Sequence, residues 1–224
     1  DFEVDNICVD SEGVSVGIKI KKEAVRLFQQ YYDLSCEGKV VVGLELMEFH
    51  SYVFEKTIDI TESDVVVKMW SPLIERLFRR VELRTKWGDT MGESADIENR
   101  TTGLKVDLRF LKDTLSRRRK EADKANCEVS KLGAGHIKIT SDRTKLLIES
   151  KVILDHLIKE EPEKVKEIAV PALQLIGNRA ILYSINLTTN GLYVAVKEGT
   201  AVIPNHISHI KDFREVIMLL FKFK

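Results

Sequence analysis

The sequence predicts an α/β (α+β) fold, with a central mixed β-sheet flanked by helices. Residues 71 to 177 run in the order helix, three strands, helix, strand, with period-2 alternation in the strands and helical spacing of apolar residues in the helices. A hydrophobic content of 44% over 224 residues is enough to build a sizeable core. The absence of repeats and low-complexity tracts favours one compact unit.

The first part of the chain predicts an N-terminal β-α-β extension that packs on this core. "GVSVGIKI" alternates like a strand, "KKEAVRLFQQYYDL" has apolar residues at helical spacing, and "GKVVVGLELMEF" again alternates like a strand. We therefore divide the chain into an extension, residues 1–68, and a core with a C-terminal hairpin and helix, residues 69–224.

The core elements follow from local signals. Ser71 before Pro72 predicts the start of the helix "PLIERLFRRVEL", because a serine cap followed by proline is typical of a first turn. Strands are predicted at "LRTKW", "GLKVDLRFL" and "NCEVSKL". A long helix capped by Ser141 follows, with a broad apolar face between residues 146 and 158.

The C-terminal part predicts three more strands and a closing helix. "VPALQLIG", "AILYSINL" and "GLYVAVKE" are separated by Gly-Asn and Asn-Gly, and Asn-Gly is a strong hairpin signal. The helix "HIKDFREVIMLLFKF" ends the chain. The hairpin, together with the N-terminal strands, is also a candidate partner-docking surface.

Charge and cysteine usage exclude several classes of protein. Thirty-five basic residues balance thirty-five acidic ones, so any anion-binding site must be a local patch. Three widely spaced cysteines, Cys8, Cys36 and Cys127, argue against a disulfide framework and a zinc site. No apolar run could span a bilayer, and the start is unlike a signal peptide. We expect an intracellular protein, cytoplasmic or nuclear, with no membrane partner.

Two acids lie on neighbouring predicted strands, Asp107 in "KVDLRF" and Glu128 in "NCEVSK", which also contains Lys131. With the element order, they resemble the PD-(D/E)XK nuclease-like superfamily, in which an acid ends the second core strand and an acid and a lysine lie on the third. The resemblance implies a restriction-endonuclease-like α-β-β-β-α-β core and Mg²⁺- or Mn²⁺-dependent hydrolysis of phosphodiester bonds in nucleic acid. Asp107 and Glu128 would bind the metal as hard oxygen ligands, and Lys131 would position water or phosphate.

The lysine departs from the family pattern, which places it two residues after the acid, where this chain has Ser130. In a regular strand Glu128 and Ser130 share one face and Lys131 points to the other. A bulge or strand end at Ser130 would return Lys131 to the site; otherwise the motif is degenerate. The wider pattern, from "KWGDT" to "GLYV", is also similar to uncharacterised proteins of early-diverging, mucoralean-type fungi.

Other residues offer support or replacement. Asp142, Lys145 and Glu149 lie at i, i+3 and i+7 on the long helix, so Lys145 is a candidate for the missing lysine. Glu75 on the earlier helix is a candidate additional metal ligand. The basic run "RRRK" is a candidate contact for nucleic-acid phosphates; its members are Arg117, Arg118, Arg119 and Lys120.

Simpler interpretations remain open for each of these features. Asp107 and Glu128 also fit a solvated polar strand face, and "RRRK" fits a solvated helix with local ion pairs. The alternative function is a catalytically degenerate module that binds nucleic acid or acts as a protein-interaction scaffold. The partners to test are therefore nucleic acid, a protein partner or a second copy of the chain.

Overall fold

The computed structural model describes residues 54, 59–78, 83–91, 105–113 and 121–224. The strands and helix predicted between residues 13 and 49 lie outside the described residues, as does the "RRRK" run. The boundary predicted after residue 68 falls inside a helical segment, Val65–Trp70, and the two-part division stays a prediction.

The described strands form one six-stranded mixed sheet in the order β1-β2-β3-β4-β5-β6. Their bounds are β1 Leu83–Met91, β2 Lys105–Asp113, β3 Glu121–Ser130, β4 Ala169–Ile176, β5 Arg179–Leu187 and β6 Tyr193–Val202. All neighbouring pairs are antiparallel except β3 and β4, which are parallel. A parallel pair needs a crossover connection, and the long helix between these two strands provides it.

Helices flank this sheet, as the sequence predicts. They are α1 Glu62–Asp64, a π-helical segment Val65–Trp70, α2 Ser71–Phe78, α3 His136–Glu160 and α4 Phe213–Phe223, with 3₁₀ turns at Pro162–Lys164 and Ile207–Asp212. The predicted α+β class is therefore confirmed. Among the residues that the structure describes, no helix combines the length and apolar composition that a membrane crossing requires.

Ser71 is the first residue of α2, but it is not the cap that the sequence predicts, because the chain is already helical from Glu62. The cap is Thr61, whose hydroxyl accepts a hydrogen bond from the Asp64 N–H while the Asp64 carboxylate accepts one from the Thr61 N–H. Ser71 and Pro72 lie inside the continuing helix, where the Ser71 N–H donates to Val66 O, five residues back. Proline is unfavourable inside an α-helix because it lacks an N–H and crowds the carbonyl four residues earlier, and the wider π turn accommodates it.

The predicted cap at Ser141 is also wrong, since α3 begins at His136 after the N-cap Gly135. Gly135 has no side chain with which to signal a cap, and the alternating β-branched residues of "HIKIT" do not resemble a helix start. Before this N-cap the chain makes a turn at Leu132 and Gly133, where Gly133 has φ +77°.

The two faces of the sheet differ in chemistry. One face forms the main apolar core against α2, α4 and the π-helical segment, centred on residues such as Trp70, Leu73, Phe110 and Phe223. Against α3 lie polar side chains of β3 and β4, among them Asn126, which accepts a hydrogen bond from Ser150 Oγ at 2.7 Å. The buried polar and charged residues are Arg109, Asp123, Asn126, Glu128, Ser130, Asp142, Glu149, Ser150 and Gln174.

The apolar face predicted on α3 is only partly buried. Leu146, Ile153 and Leu154 are buried, whereas Ile148 is 47% exposed. The inward positions between the apolar ones carry Asp142, Glu149 and Ser150. α3 therefore covers the sheet with a mixed polar and apolar stripe, which places charged groups against the ends of β2 and β3.

Candidate functional site

Strand pairing brings the two predicted acids to adjacent strands at one end of the sheet. Leu108 on β2 faces Cys127 on β3, so Asp107 and Glu128 are each one residue further towards this end. The pairing of β3 with β4 continues without a shift through Ser130, where β3 ends. No bulge therefore interrupts β3 at Ser130, and Glu128 and Ser130 share the face that α3 covers.

Asp107 is anchored to the neighbouring strand. Its Oδ2 accepts a hydrogen bond from the Val129 N–H at 2.8 Å, which holds the carboxylate over β3 beside Glu128. Burial raises the pKa of Asp107, and the Val129 hydrogen bond opposes that rise. A solvated polar strand face does not fit this half-buried, main-chain-anchored carboxylate.

Glu128 is buried, with 2% of its surface exposed, and its partner is Lys145. Lys145 Nζ lies 2.8 Å from Oε1 and 3.0 Å from Oε2, but the angles are those of a hydrogen bond only at Oε2. Oε1 is thus a buried oxygen that has an ionic contact and no hydrogen bond. Burial raises the pKa of Glu128 to about 8; the hydrogen bond from Lys145 opposes the rise, and the charge of Asp107 adds to it.

A second ionic group lies beside this pair. Ser130 Oγ donates to Asp142 Oδ2 at 2.7 Å, and Lys138 Nζ lies 3.0 Å from the same oxygen. Lys138 Nζ is also 3.1 Å from Glu62 Oε1, so it links α3 to the start of α1. The charge of Glu62 raises the pKa of Asp107, and that of Asp142 raises the pKa of Glu128, which shows that the two groups interact electrostatically.

Two predicted residues contact other partners. Lys131 lies after the end of β3, and its half-exposed side chain places Nζ 3.0 Å from Oδ1 of the exposed Asp59. Glu75 accepts hydrogen bonds from Thr85 Oγ1, at 2.6 Å, and from Trp87 Nε1, which tie α2 to β1. No contact with Asp107 or Glu128 is found for either residue in the described part of the chain, and their roles stay predictions.

Sequence reasoning missed three residues beside the acids. Glu62 and Lys138 were hidden because the starts of both helices were placed too late. Lys138 and Asp142 nevertheless have the i, i+4 spacing of a helical ion pair, which could have indicated them. Gln174 on β4 pairs in register with Glu128, and its Nε2 donates to Ile139 O at 2.8 Å. Its signal was a lone polar residue inside the apolar strand "VPALQLIG".

Cys127 has no chemical role in this arrangement. Its side chain is fully buried in the apolar core, and burial, together with the charges of Asp107 and Glu128, raises the pKa of the thiol well above its ordinary value. A thiol held protonated is a poor nucleophile and a poor metal ligand.

The donor chemistry of the site fits a hard divalent cation. Asp107 and Glu128 offer carboxylate oxygens from rigid strands, and Glu128 Oε1 has an unused hydrogen-bonding capacity in a buried position. No group of three or more His, Cys, Asp or Glu side chains in the described ranges is arranged to hold a metal. Mg²⁺ commonly uses one or two carboxylates and completes its shell with water and substrate phosphate, so a pair of acids is compatible with such an ion.

Comparison of the chain with protein-family models, with curated proteins and with solved structures found no match.

Proposed function

We propose that this protein is a metal-dependent nuclease that hydrolyses phosphodiester bonds in nucleic acid. The observation that carries the proposal is the contact of the Lys145 amine with both oxygens of Glu128, a buried carboxylate next to the strand-anchored Asp107. Two carboxylates and a lysine are the groups that the resemblance to the PD-(D/E)XK superfamily requires. Here the lysine comes from α3, and Ser130 occupies its usual place.

Each residue has a distinct task in the proposed reaction. Asp107 and Glu128 would hold Mg²⁺ or Mn²⁺ with oxygens that the strands keep in place, and such an ion would supply Lewis-acid stabilisation of charge on the phosphate. Lys145 orients water or binds a phosphate oxygen, since its flexible stem and partial exposure let it reach the substrate. Ser130 and Asp142 keep the first part of α3 close to β3.

The test is cleavage of supercoiled plasmid, single-stranded DNA and RNA in the presence of Mg²⁺ or Mn²⁺. We expect Asp107→Asn and Lys145→Met to lower the rate by about 100-fold or more, because each removes a group that acts in the transition state. Lys131→Met should retain activity, since its amine contacts Asp59. Glu160→Gln, at the far end of α3, is the matched control. Absence of metal-dependent cleavage on every substrate, or full activity in Asp107→Asn, would refute the proposal.

A second candidate is a catalytically degenerate module that binds nucleic acid or acts as a protein-interaction scaffold. Two observations favour it: Ser130 replaces the lysine of the motif, and Lys145 already neutralises Glu128. Salt-sensitive retention of nucleic acid without cleavage would support the binding role, because phosphate contacts weaken as salt rises. Absence of both binding and cleavage would leave the scaffold role.

A further inference from the structure

The ammonium of Lys145 occupies the position beside Glu128 that a bound metal ion would take. Its Nζ lies 2.8 and 3.0 Å from the two oxygens of the same carboxylate, so the ammonium sits in the region between them. A metal ion held by both oxygens of a carboxylate occupies this same region. The amine and a cation bound in this way to Glu128 therefore exclude one another.

The two partners differ in their freedom to move. Glu128 lies in the middle of the sheet, between β2 and β4, and only 2% of its surface is exposed. Lys145 is on a helix, and 29% of its side chain is exposed. Its long stem has many rotamers, so the ammonium can leave the carboxylate for water while the carboxylate stays in place.

The charges around Glu128 favour replacement of the singly charged Lys145 ammonium by a divalent cation. The described cluster contains four carboxylates, those of Glu62, Asp107, Glu128 and Asp142, and two ammonium groups, those of Lys138 and Lys145. With all of them ionised, the cluster keeps an excess of negative charge. A divalent cation in place of the Lys145 ammonium reduces that excess, in surroundings where Coulomb interactions are stronger than in water.

We propose that the ammonium of Lys145 is a resident counter-ion that a divalent cation displaces from Glu128. The displaced amine is then free to bind a phosphate oxygen. This inference rests on the proposed function, because it describes how the same site changes from its metal-free to its metal-bound form. Lys145 would therefore weaken the affinity of the site for the metal, although the same residue contributes to the proposed cleavage reaction.

Mn²⁺ binding measured by calorimetry, without substrate and at fixed pH and ionic strength, tests this exchange. We expect Lys145→Met to bind Mn²⁺ about tenfold more tightly than the wild type, since the competing charge is gone. Lys145→Arg should bind Mn²⁺ more weakly than the wild type, because a guanidinium pairs with a carboxylate through two hydrogen bonds. Lys151→Met is the matched control on the same helix, since Lys151 pairs with Asp155.

Tighter Mn²⁺ binding by Lys145→Met, combined with slower cleavage, is the signature of the exchange. Equal or weaker binding by Lys145→Met would overturn the inference and leave the proposed nuclease intact. Mn²⁺ binding by neither the wild type nor Lys145→Met would overturn both. If a thermal unfolding control shows that Lys145→Met does not fold, the Mn²⁺ affinities of Lys145→Arg and the wild type are compared instead. Binding by Lys145→Arg as tight as that of the wild type would contradict the exchange.

Discussion

The carboxyl of Glu128 titrates far from its ordinary range because the fold removes it from water. Its pKa rises from 4.5 to about 8, even though Lys145 is in direct contact. A cation at Glu128 must therefore compete with a proton as well as with an ammonium.

This pKa predicts a decline of stability with rising pH. The folded state binds the proton more tightly than the unfolded chain, so the stabilisation is complete below about pH 4.5 and is lost as the pH rises towards about 8. We expect the free energy of unfolding in metal-free buffer to fall over this window by a few kcal/mol. Asp107, whose pKa is also raised, contributes in the same direction.

Urea unfolding at several pH values measures the effect. Glu128→Gln should flatten the profile between pH 5 and 8, because an amide does not ionise. Glu160→Gln, which is exposed, should follow the wild-type profile. An equally steep decline in Glu128→Gln would show that burial of this carboxyl does not cause it.

At the scale of elements, the turn between β4 and β5 connects the π-helical segment to the end of β3 beside the candidate site. Trp70 Nε1, on the π-helical segment, donates to Gly177 O at 2.7 Å, and the Gly177 N–H donates to Ser130 O at 2.8 Å. Ser130 in turn reaches Asp142 on α3. Two helical segments on opposite faces of the sheet thus meet at the end of β3 through one glycine.

Gly177→Ala should be markedly destabilising for two reasons. The residue has φ +53°, and an added Cβ would lie 3.0 Å from the Leu132 Cα. We expect a loss of about 2–3 kcal/mol in urea unfolding, of which the left-handed backbone accounts for about 1–2 kcal/mol. Gly191→Ala is the control, since it has φ +74° and open space around it, and it should lose only the backbone part. An equal loss of unfolding free energy in the two variants would show that the close approach to Leu132 does not contribute to the effect.

The elements illustrate what local sequence patterns can and cannot predict. The two turns were predicted because Gly-Asn and Asn-Gly suit left-handed backbone, and Gly177 and Gly191 do have positive φ. The helix starts at Thr61 and Gly135 were missed for different reasons. The start at Thr61 was missed because Ser71 and Pro72, further along the chain, resemble the first turn of a helix. The start at Gly135 was missed because glycine has no side chain that could cap the helix. A π turn that accommodates Pro72 depends on spatial packing, which sequence periodicity does not encode.

At the scale of the whole molecule, the order of elements was predictable, whereas the identity of the lysine that contacts Glu128 was not. Asp107 and Glu128 follow from the strand order alone, because neighbouring strands bring their ends together. Lys145 is 17 positions from Glu128 and contacts it only because α3 packs on β3 in the fold. The sequence offered it as one of several candidates, and contact geometry distinguishes it from Lys131.

In the described part of the chain, no strand pairs with the outer side of β6. β6 is the last strand in the sheet order, and Tyr193, Val194 and Val196 are each more than a third exposed. Unpaired main-chain groups beside apolar side chains favour pairing with another strand. Lys197 and Glu198 interrupt this edge, so we expect contact between copies to be weak.

We expect concentrated protein to show concentration-dependent association by light scattering. Val196→Lys should suppress it, because a charge on an edge strand opposes pairing, and should change stability by less than about 0.5 kcal/mol. Val67→Lys is the control, since Val67 is 63% exposed and lies on the π-helical segment, away from β6. A monomer at every concentration would rule out this use of the edge.

The two halves of α3 are attached to the sheet by different kinds of interaction. The first half of the helix is held by hydrogen bonds and an ion pair to Ser130, Glu128 and Asn126 and by the buried Leu146. Ile153 and Leu154 hold the second half by apolar packing. Salt and pH act on the first kind of attachment, and temperature acts strongly on the second. We therefore expect salt and pH to loosen the helix end that lies over the acids more than the other end.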